Sequence, residues 1–286
     1  MADVKFHQYW QSVLNDVESL QSERSAVTEL PMRTNELSNA FGVQFRSSDG
    51  VELFGYYCVP KGKGPFPGLL MTPGYGSVVP VPPLGRRRKF AVLSLCSRGQ
   101  RLSDGQYRAA YPGLLTDGIE DALSYPFRGV VADCLRGFDF LASRSKIDSS
   151  RIAVASGNNL GDLGVIVASL RPDAKAVLVN SPMMFRDTMN RLGRVEDYPR
   201  EEFNDFLRGQ PDARSSVAGT LSLFDPVQFA PKVQAQVAFS GSRSDLEHMQ
   251  PVIAALGGAG HTIFEKSGKG HLDHECEESW LSQAVD

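Results

Sequence analysis

The turn Ser156-Gly157-Asn158-Asn159-Leu160-Gly161 follows a short apolar run, Arg151 to Ala155, of the kind that forms a buried parallel strand. In a doubly wound sheet, ligands and chemistry sit at the carboxyl ends of the strands, so this turn is a place where a side chain can be presented to a substrate. The side chains on offer are asparagines. An amide has no ionisable proton near neutral pH, and its nitrogen lone pair is delocalised into the carbonyl. It donates and accepts hydrogen bonds but does not readily form an acyl intermediate. A second cluster, His271, Asp273, His274 and Glu275, has metal-ligand residue types. Its position in a predicted loop favours a solvated acidic turn, and no metal site or cofactor is expected. The four cysteines, Cys58, Cys96, Cys134 and Cys276, lack CxxC or metal spacing and are read as buried free thiols.

The elements that must position these residues follow from periodicity. Phe6, Trp10, Val13, Leu14 and Val17 recur at helical spacing and predict an amphipathic helix from Phe6 to Leu20. Val43 to Arg46 and Val51 to Val59 alternate around Ser48-Asp49-Gly50, a β-hairpin. Buried strands are predicted at 67–71, 90–95, 151–155, 174–180, 234–240 and 262–266, with helices at 127–143, 163–170 and 249–256. Strands alternating with helices after an antiparallel start imply an α/β protein with a doubly wound, mostly parallel sheet. No repeat or low-complexity linker divides the chain. It reads as one domain, 1–286, with an N-terminal helical extension over 1–40 and a helical cap insertion over about 183–216.

Several segments resemble the acetyl xylan esterase and cephalosporin-C deacetylase family. Ser97-Arg98-Gly99-Gln100 with Ser103 is similar to that family's RGQGxS signature, and Tyr111 to Ile119 to its YPGxxTxGI segment. Pro73-Gly74-Tyr75-Gly76 resembles its GYG loop, and Thr220 to Phe229 its LSYFDxxNF stretch. These segments occur in the family's order from Phe6 to His271, nearly the whole chain. The resemblance implies the α/β-hydrolase fold with a small helical cap, and deacetylation by a Ser-His-Asp triad. The turn after Ala155 is then the nucleophile elbow, G-x-S-x-G, with Asn158 in the serine's place. Carried over residue by residue, the histidine falls on His271, with His274 close by as a competitor. The acid falls on Asp245, or on Ser244 by strict spacing. The oxyanion donors are the backbone N–H groups of Tyr75 and Asn159, and Arg98 and Gln100 brace the elbow from beneath.

A serine nucleophile works because a neighbouring imidazole takes its proton during attack, and Asn158 has no proton to give in that way. Losing a triad serine typically leaves about 10³–10⁴-fold catalysis over water. Ser156 lies two positions early and faces the strand's other side. The elbow also carries Ser156 and Leu160 where the family has glycine; a frame shifted by one restores both glycines and makes Asn159 the elbow residue. Neither frame supplies a serine. Three readings follow: non-covalent acid/base chemistry (hydrolysis, elimination or cyclisation) on a small molecule with His271 and the oxyanion loop; a catalytically dead pseudoenzyme that binds a ligand or serves assembly; or an aspartate-nucleophile hydrolase carried in its Asn form. An ordinary serine esterase using another serine is a fourth, less favoured reading.

Bulk properties bound the partners. The chain has 286 residues, 42% hydrophobic and 22% charged, with a net charge of −3 and a pI near 6.0. That balance gives no electrostatic case for nucleic acid or an anionic membrane. Arg86 to Lys89 reads as a solvated basic turn. No apolar run is long enough to cross a bilayer, and Met1 to Lys5 opens no signal core, so the expectation is cytoplasmic. A small-molecule substrate or ligand is expected. Members of the resembled family form ring oligomers through an insertion between RGQ and YPG. The interval here, Arg101 to Ala110, is short and polar, so a homo-oligomer is expected as a dimer or altered ring at least as readily as the family's own assembly.

Overall fold

The computed structural model describes residues 2–20, 25–180, 185–257 and 260–286. In chain order the elements are α1 (Ala2–Glu18), β1 (Ala26–Glu29), β2 (Ser38–Arg46), β3 (Glu52–Pro60), β4 (Phe66–Met71), α2 (Leu84–Lys89), β5 (Ala91–Cys96), α3 (Pro126–Ala142), β6 (Ile147–Ser156), α4 (Asp162–Leu170) and β7 (Ala174–Asn180). There follow α5 (Thr188–Arg191), α6 (Glu201–Gly209), α7 (Arg214–Ser222), α8 (Pro226–Phe229), β8 (Gln236–Gly241), α9 (Arg243–Ala255), β9 (His261–Glu265) and α10 (His271–Ala284).

Among the described residues the strands form one nine-stranded sheet, ordered β1-β2-β3-β5-β4-β6-β7-β8-β9. The first three strands and the β3–β5 pairing are antiparallel, and every pairing from β5 to β9 is parallel. The central strands are apolar at successive positions because both sheet faces are covered. In β6, Ile152 and Val154 enter the core with α1, α3 and α4, whereas Ala153 and Ala155 face the smaller core completed by Leu281 and Ala284 of α10. The carboxyl ends of β4, β6, β7, β8 and β9 therefore line up along one sheet edge, and α10 crosses beneath them on the second face.

The hairpin and the alternating elements read from the sequence are present, and four expectations change. Residues 26–29, expected within a helical extension, form the edge strand β1. The basic run is not a solvated turn: it is helix α2, where Arg87 is buried and donates to Ser38 Oγ at 2.9 Å, and Arg86 pairs with Glu278 at 2.6 Å. Cys58, Cys96 and Cys134 are buried, but Cys276 is exposed because it lies on the outer side of α10. The cluster at 271–275 is the first turn and a half of a helix, not a loop. Part of the expected insertion, 183–184, lies outside the described residues; 188–222 carries α5, α6 and α7.

Candidate functional site

Strand β6 ends at Ser156, and the chain then reverses in two residues. Leu160 N–H donates to Gly157 O at 3.1 Å, and the residues between, Asn158 (φ 51°) and Asn159 (φ 65°), both have positive φ. Asparagine tolerates this left-handed backbone better than other residues with a Cβ, because its short amide can bond locally. Leu160 fits because its side chain turns into the main core. The Ser156 hydroxyl is buried and donates to Gly161 O at 3.0 Å. Gly164 makes room for it: a Cβ there would stand 2.3 Å from Ser156 Oγ.

The loop after β4 packs directly on this turn. A Cβ at Gly74 would stand 2.3 Å from Asn158 Cβ, so only glycine fits. Tyr75 N–H, the expected oxyanion donor, donates to Asn158 O at 2.9 Å. Gln100 clamps the loop, its amide nitrogen donating to Gly74 O (2.9 Å) and Gly76 O (2.6 Å). Arg98 works elsewhere, paired with Asp133 of α3 at 2.9 Å and with Ser48 Oγ of the hairpin turn at 3.0 Å. From α6, the buried Glu202 accepts the Tyr75 hydroxyl and also the Leu115 N–H at 3.0 Å. Burial first, and then Glu202, hold the Tyr75 phenol well above its ordinary range.

The two asparagines face different cavities. Asn158 lines one of about 620 Å³ together with Thr72, Asn180, Lys266 and His274. Asn159 lines one of about 420 Å³ together with Arg191, Arg200, Ser244 and Asp245. There Asp245 closes a capping box on α9, accepting Ser242 N–H at 2.9 Å while its own N–H donates to Ser242 Oγ at 3.2 Å. Ser244 is exposed beside it. Burial, and then the neighbouring Arg191, depress the Arg200 guanidinium below its usual range. His271 opens α10, is exposed, and lines neither cavity. Among the described residues no hydrogen bond joins Asn158, Asp245 and His271. The structure thus packs Gly74 and Tyr75 on Asn158, with Gln100 holding their loop, and places neither Asp245 nor His271 on the cavity that Asn158 lines.

What sequence reasoning missed is a buried network on the cavity side of Asn158. Glu277 of α10 is 1% exposed. Its Oε1 accepts from Asn180 Nδ2 (2.7 Å) at the end of β7 and from Ser240 Oγ (2.5 Å) in β8. Its Oε2 stands 3.4 Å from His274 Nδ1. Lys266, just past β9, donates to Asn180 Oδ1 at 2.6 Å and stands 3.9 Å from Glu277 Oε1. An imidazole with a carboxylate at one nitrogen and a cavity beside it is the base-and-orienter arrangement of acid/base catalysis. A signal for it existed. Glu277, Leu281 and Ala284 are the buried positions of α10, spaced i, i+4, i+7, so a glutamate heads an otherwise apolar stripe.

Residues 1–253 match the family described as Acetyl xylan esterase (AXE1). Lys266, His271, His274 and Glu277 lie beyond the matched residues. The chain is similar to the acetyl esterase Axe7A of Xylanibacter ruminicola, 23% identical over 252 residues, which cover 84% of this chain and 56% of that protein. It therefore spans little more than half the length of that relative. Its fold is similar to the acetyl xylan esterase from Paenibacillus sp. R4 (TM-score 0.78, 23% identity, 99% of this chain and 93% of that one). It is also similar to acetyl xylan esterase 1 from Thermoanaerobacterium sp. JW/SL YS485 (TM-score 0.81, 17% identity, 98% and 94%). The nine-stranded sheet, the turn after β6 packed on the glycine loop, and the match over residues 1–253 lead to one conclusion: the chain belongs to the acetyl xylan esterase family of α/β-hydrolases.

Proposed function

We propose that this family member acts on a small molecule in the cavity at Asn158 without forming an acyl-enzyme, with His274 as general base toward water or a substrate proton. The observation that carries the reading is that His274 and Asn158 line one cavity while the Glu277 carboxylate lies 3.4 Å from His274 Nδ1. As the ring takes a proton, the buried carboxylate at 3.4 Å stabilises the charge that develops, the part an aspartate plays in a triad. Asn158 contributes an amide that can hold a substrate carbonyl or hydroxyl. His271, the histidine expected from the resemblance, opens the same helix as His274; both imidazoles are exposed, but His271 does not line this cavity.

The test uses p-nitrophenyl acetate and a serine-directed fluorophosphonate. The expected result is slow turnover with no burst, no stoichiometric adduct on intact-mass analysis, loss of turnover in His274→Gln and its retention in His271→Gln. A burst, or one fluorophosphonate per chain on a serine, overturns the proposal. A second reading, ligand binding without turnover, is favoured by one observation: Tyr75 N–H is already bonded to Asn158 O, so it is not presented to an oxyanion. Wild-type turnover no faster than that of His274→Gln would select it.

A further inference from the structure

The polar groups around the Asn158 cavity are unevenly disposed. Lys266 Nζ has three N–H donors, and among the described residues one is spent, on the neutral Asn180 Oδ1 at 2.6 Å. Glu277 Oε1 stands 3.9 Å off, beyond hydrogen-bond reach, and already accepts from Asn180 and Ser240. The Thr72 hydroxyl also lines the cavity, is buried, and has no hydrogen-bond partner among the described residues. Arg86, from α2, adds a guanidinium whose Nε is held by Glu278 Oε1 at 2.6 Å. Glu277 Oε2 has no hydrogen-bond partner among the described residues, but Glu277 is buried behind His274 and does not line the cavity. The donors that line it include an ammonium, a guanidinium, a hydroxyl and the Asn158 amide. The floor between them is apolar, formed by Ala155 and Leu178, the latter 1% exposed.

Resting on the reading of this cavity as the substrate site, we infer that it selects a small organic acid: a carboxylate held by Lys266, on an apolar body lying over Ala155 and Leu178. A carboxylate supplies the acceptors that Lys266 Nζ and Thr72 Oγ1 lack, and charge-assisted hydrogen bonds of this kind are about twice as strong as neutral ones. A neutral amide of the same shape supplies one carbonyl oxygen and brings N–H donors toward groups that are themselves donors. Discrimination in favour of the acid follows. Arg86 contributes to the same field but is already paired, so Lys266 dominates.

The experiment is a calorimetric or amide-shift titration of the full chain with benzoate and with benzamide. Wild type is expected to bind benzoate at least about tenfold more tightly than benzamide, one charge-assisted bond's worth of selectivity. Lys266→Met removes the preference, leaving benzamide binding unchanged, and Lys266→Arg keeps it. Equal affinity for the two probes in wild type overturns the inference without any variant being needed. So does undiminished benzoate binding in Lys266→Met, or the absence of saturable benzoate binding up to about 50 mM. Titration of His274→Gln separates the two proposals: benzoate selectivity retained there while wild-type turnover proves independent of His274 rejects the base and keeps the acid-binding pocket, and the converse pattern does the reverse.

Discussion

Replacing Glu277 by alanine exposes how much of this site rests on one buried carboxylate. Its Oε1 accepts from Asn180 Nδ2 at 2.7 Å and from Ser240 Oγ at 2.5 Å, and Ser240 is itself 1% exposed. Removing the carboxylate strands two donors, at about 1–3 kcal/mol each, with Asn180 at the lower end because it borders the cavity. Lys266 also loses its facing charge, but at 3.9 Å and 31% side-chain exposure that adds only about 0.5 kcal/mol after screening. The sum is about 3–4 kcal/mol. For a chain of this length each kcal/mol lowers Tm by about 2 °C, so Glu277→Ala is expected to melt about 6–8 °C below wild type. Glu277→Gln keeps an oxygen for Ser240 and Asn180 and is expected to lose only about 2 °C, corresponding to roughly 1 kcal/mol for the weakened charge-assisted bonds. Circular-dichroism melts at neutral pH make the comparison. If Glu277→Ala melts within about 2 °C of wild type, or if the two variants melt together, the carboxylate does not hold these elements and the reasoning fails.

Three further outcomes are expected. In Asn158→Ser, fluorophosphonate labelling of the new hydroxyl depends on His274 and not on His271, because the former lines the same cavity; the opposite dependence would restore the histidine implied by the resemblance. Gly74→Ala forces a Cβ to within 2.3 Å of Asn158 Cβ, and the resulting displacement costs about 1–3 kcal/mol, read as a lower Tm; an unchanged melt would mean that the loop yields freely. Burial pushes Tyr57 and Tyr111 up to about 12 from an ordinary 10.0. The unfolded chain therefore releases these protons first, so the stability they contribute is intact below pH 10 and is lost as pH rises from 10 toward 12. Tm measured against pH should fall across that window, with phenolate absorbance rising together with unfolding; phenolate appearing well before unfolding would contradict it.

The alternating elements were legible because strand and helix periods are local properties of the chain. The same holds for the glycine loop and the turn after β6: Gly74, Gly76 and the Asn158–Asn159 pair are residue types that special backbone geometry demands, and each occupies it. The identity of residue 158 as an amide needed no coordinates at all. The helix α10 was not legible, since its core stripe is narrow and begins with a glutamate, and a polar residue at a buried position breaks the period that sequence reading relies on.

Which side chains meet was decided by the tertiary structure alone. Asn158 and Asn159 are neighbours in sequence, yet they open onto separate cavities, because two successive residues at positive φ reverse the chain between them. Asp245 was the acid that the resemblance implied, with Ser244 the alternative by strict spacing, and in the structure Ser242 three residues earlier gives Asp245 a local partner in a capping box. Glu277 meets Asn180 and Ser240 across 97 and 37 residues of chain only because α10 packs beneath β7 and β8. Spacing along a chain fixes contacts over a turn or two; contacts at such separations are set by how the sheet orders its strands and where the last helix crosses them.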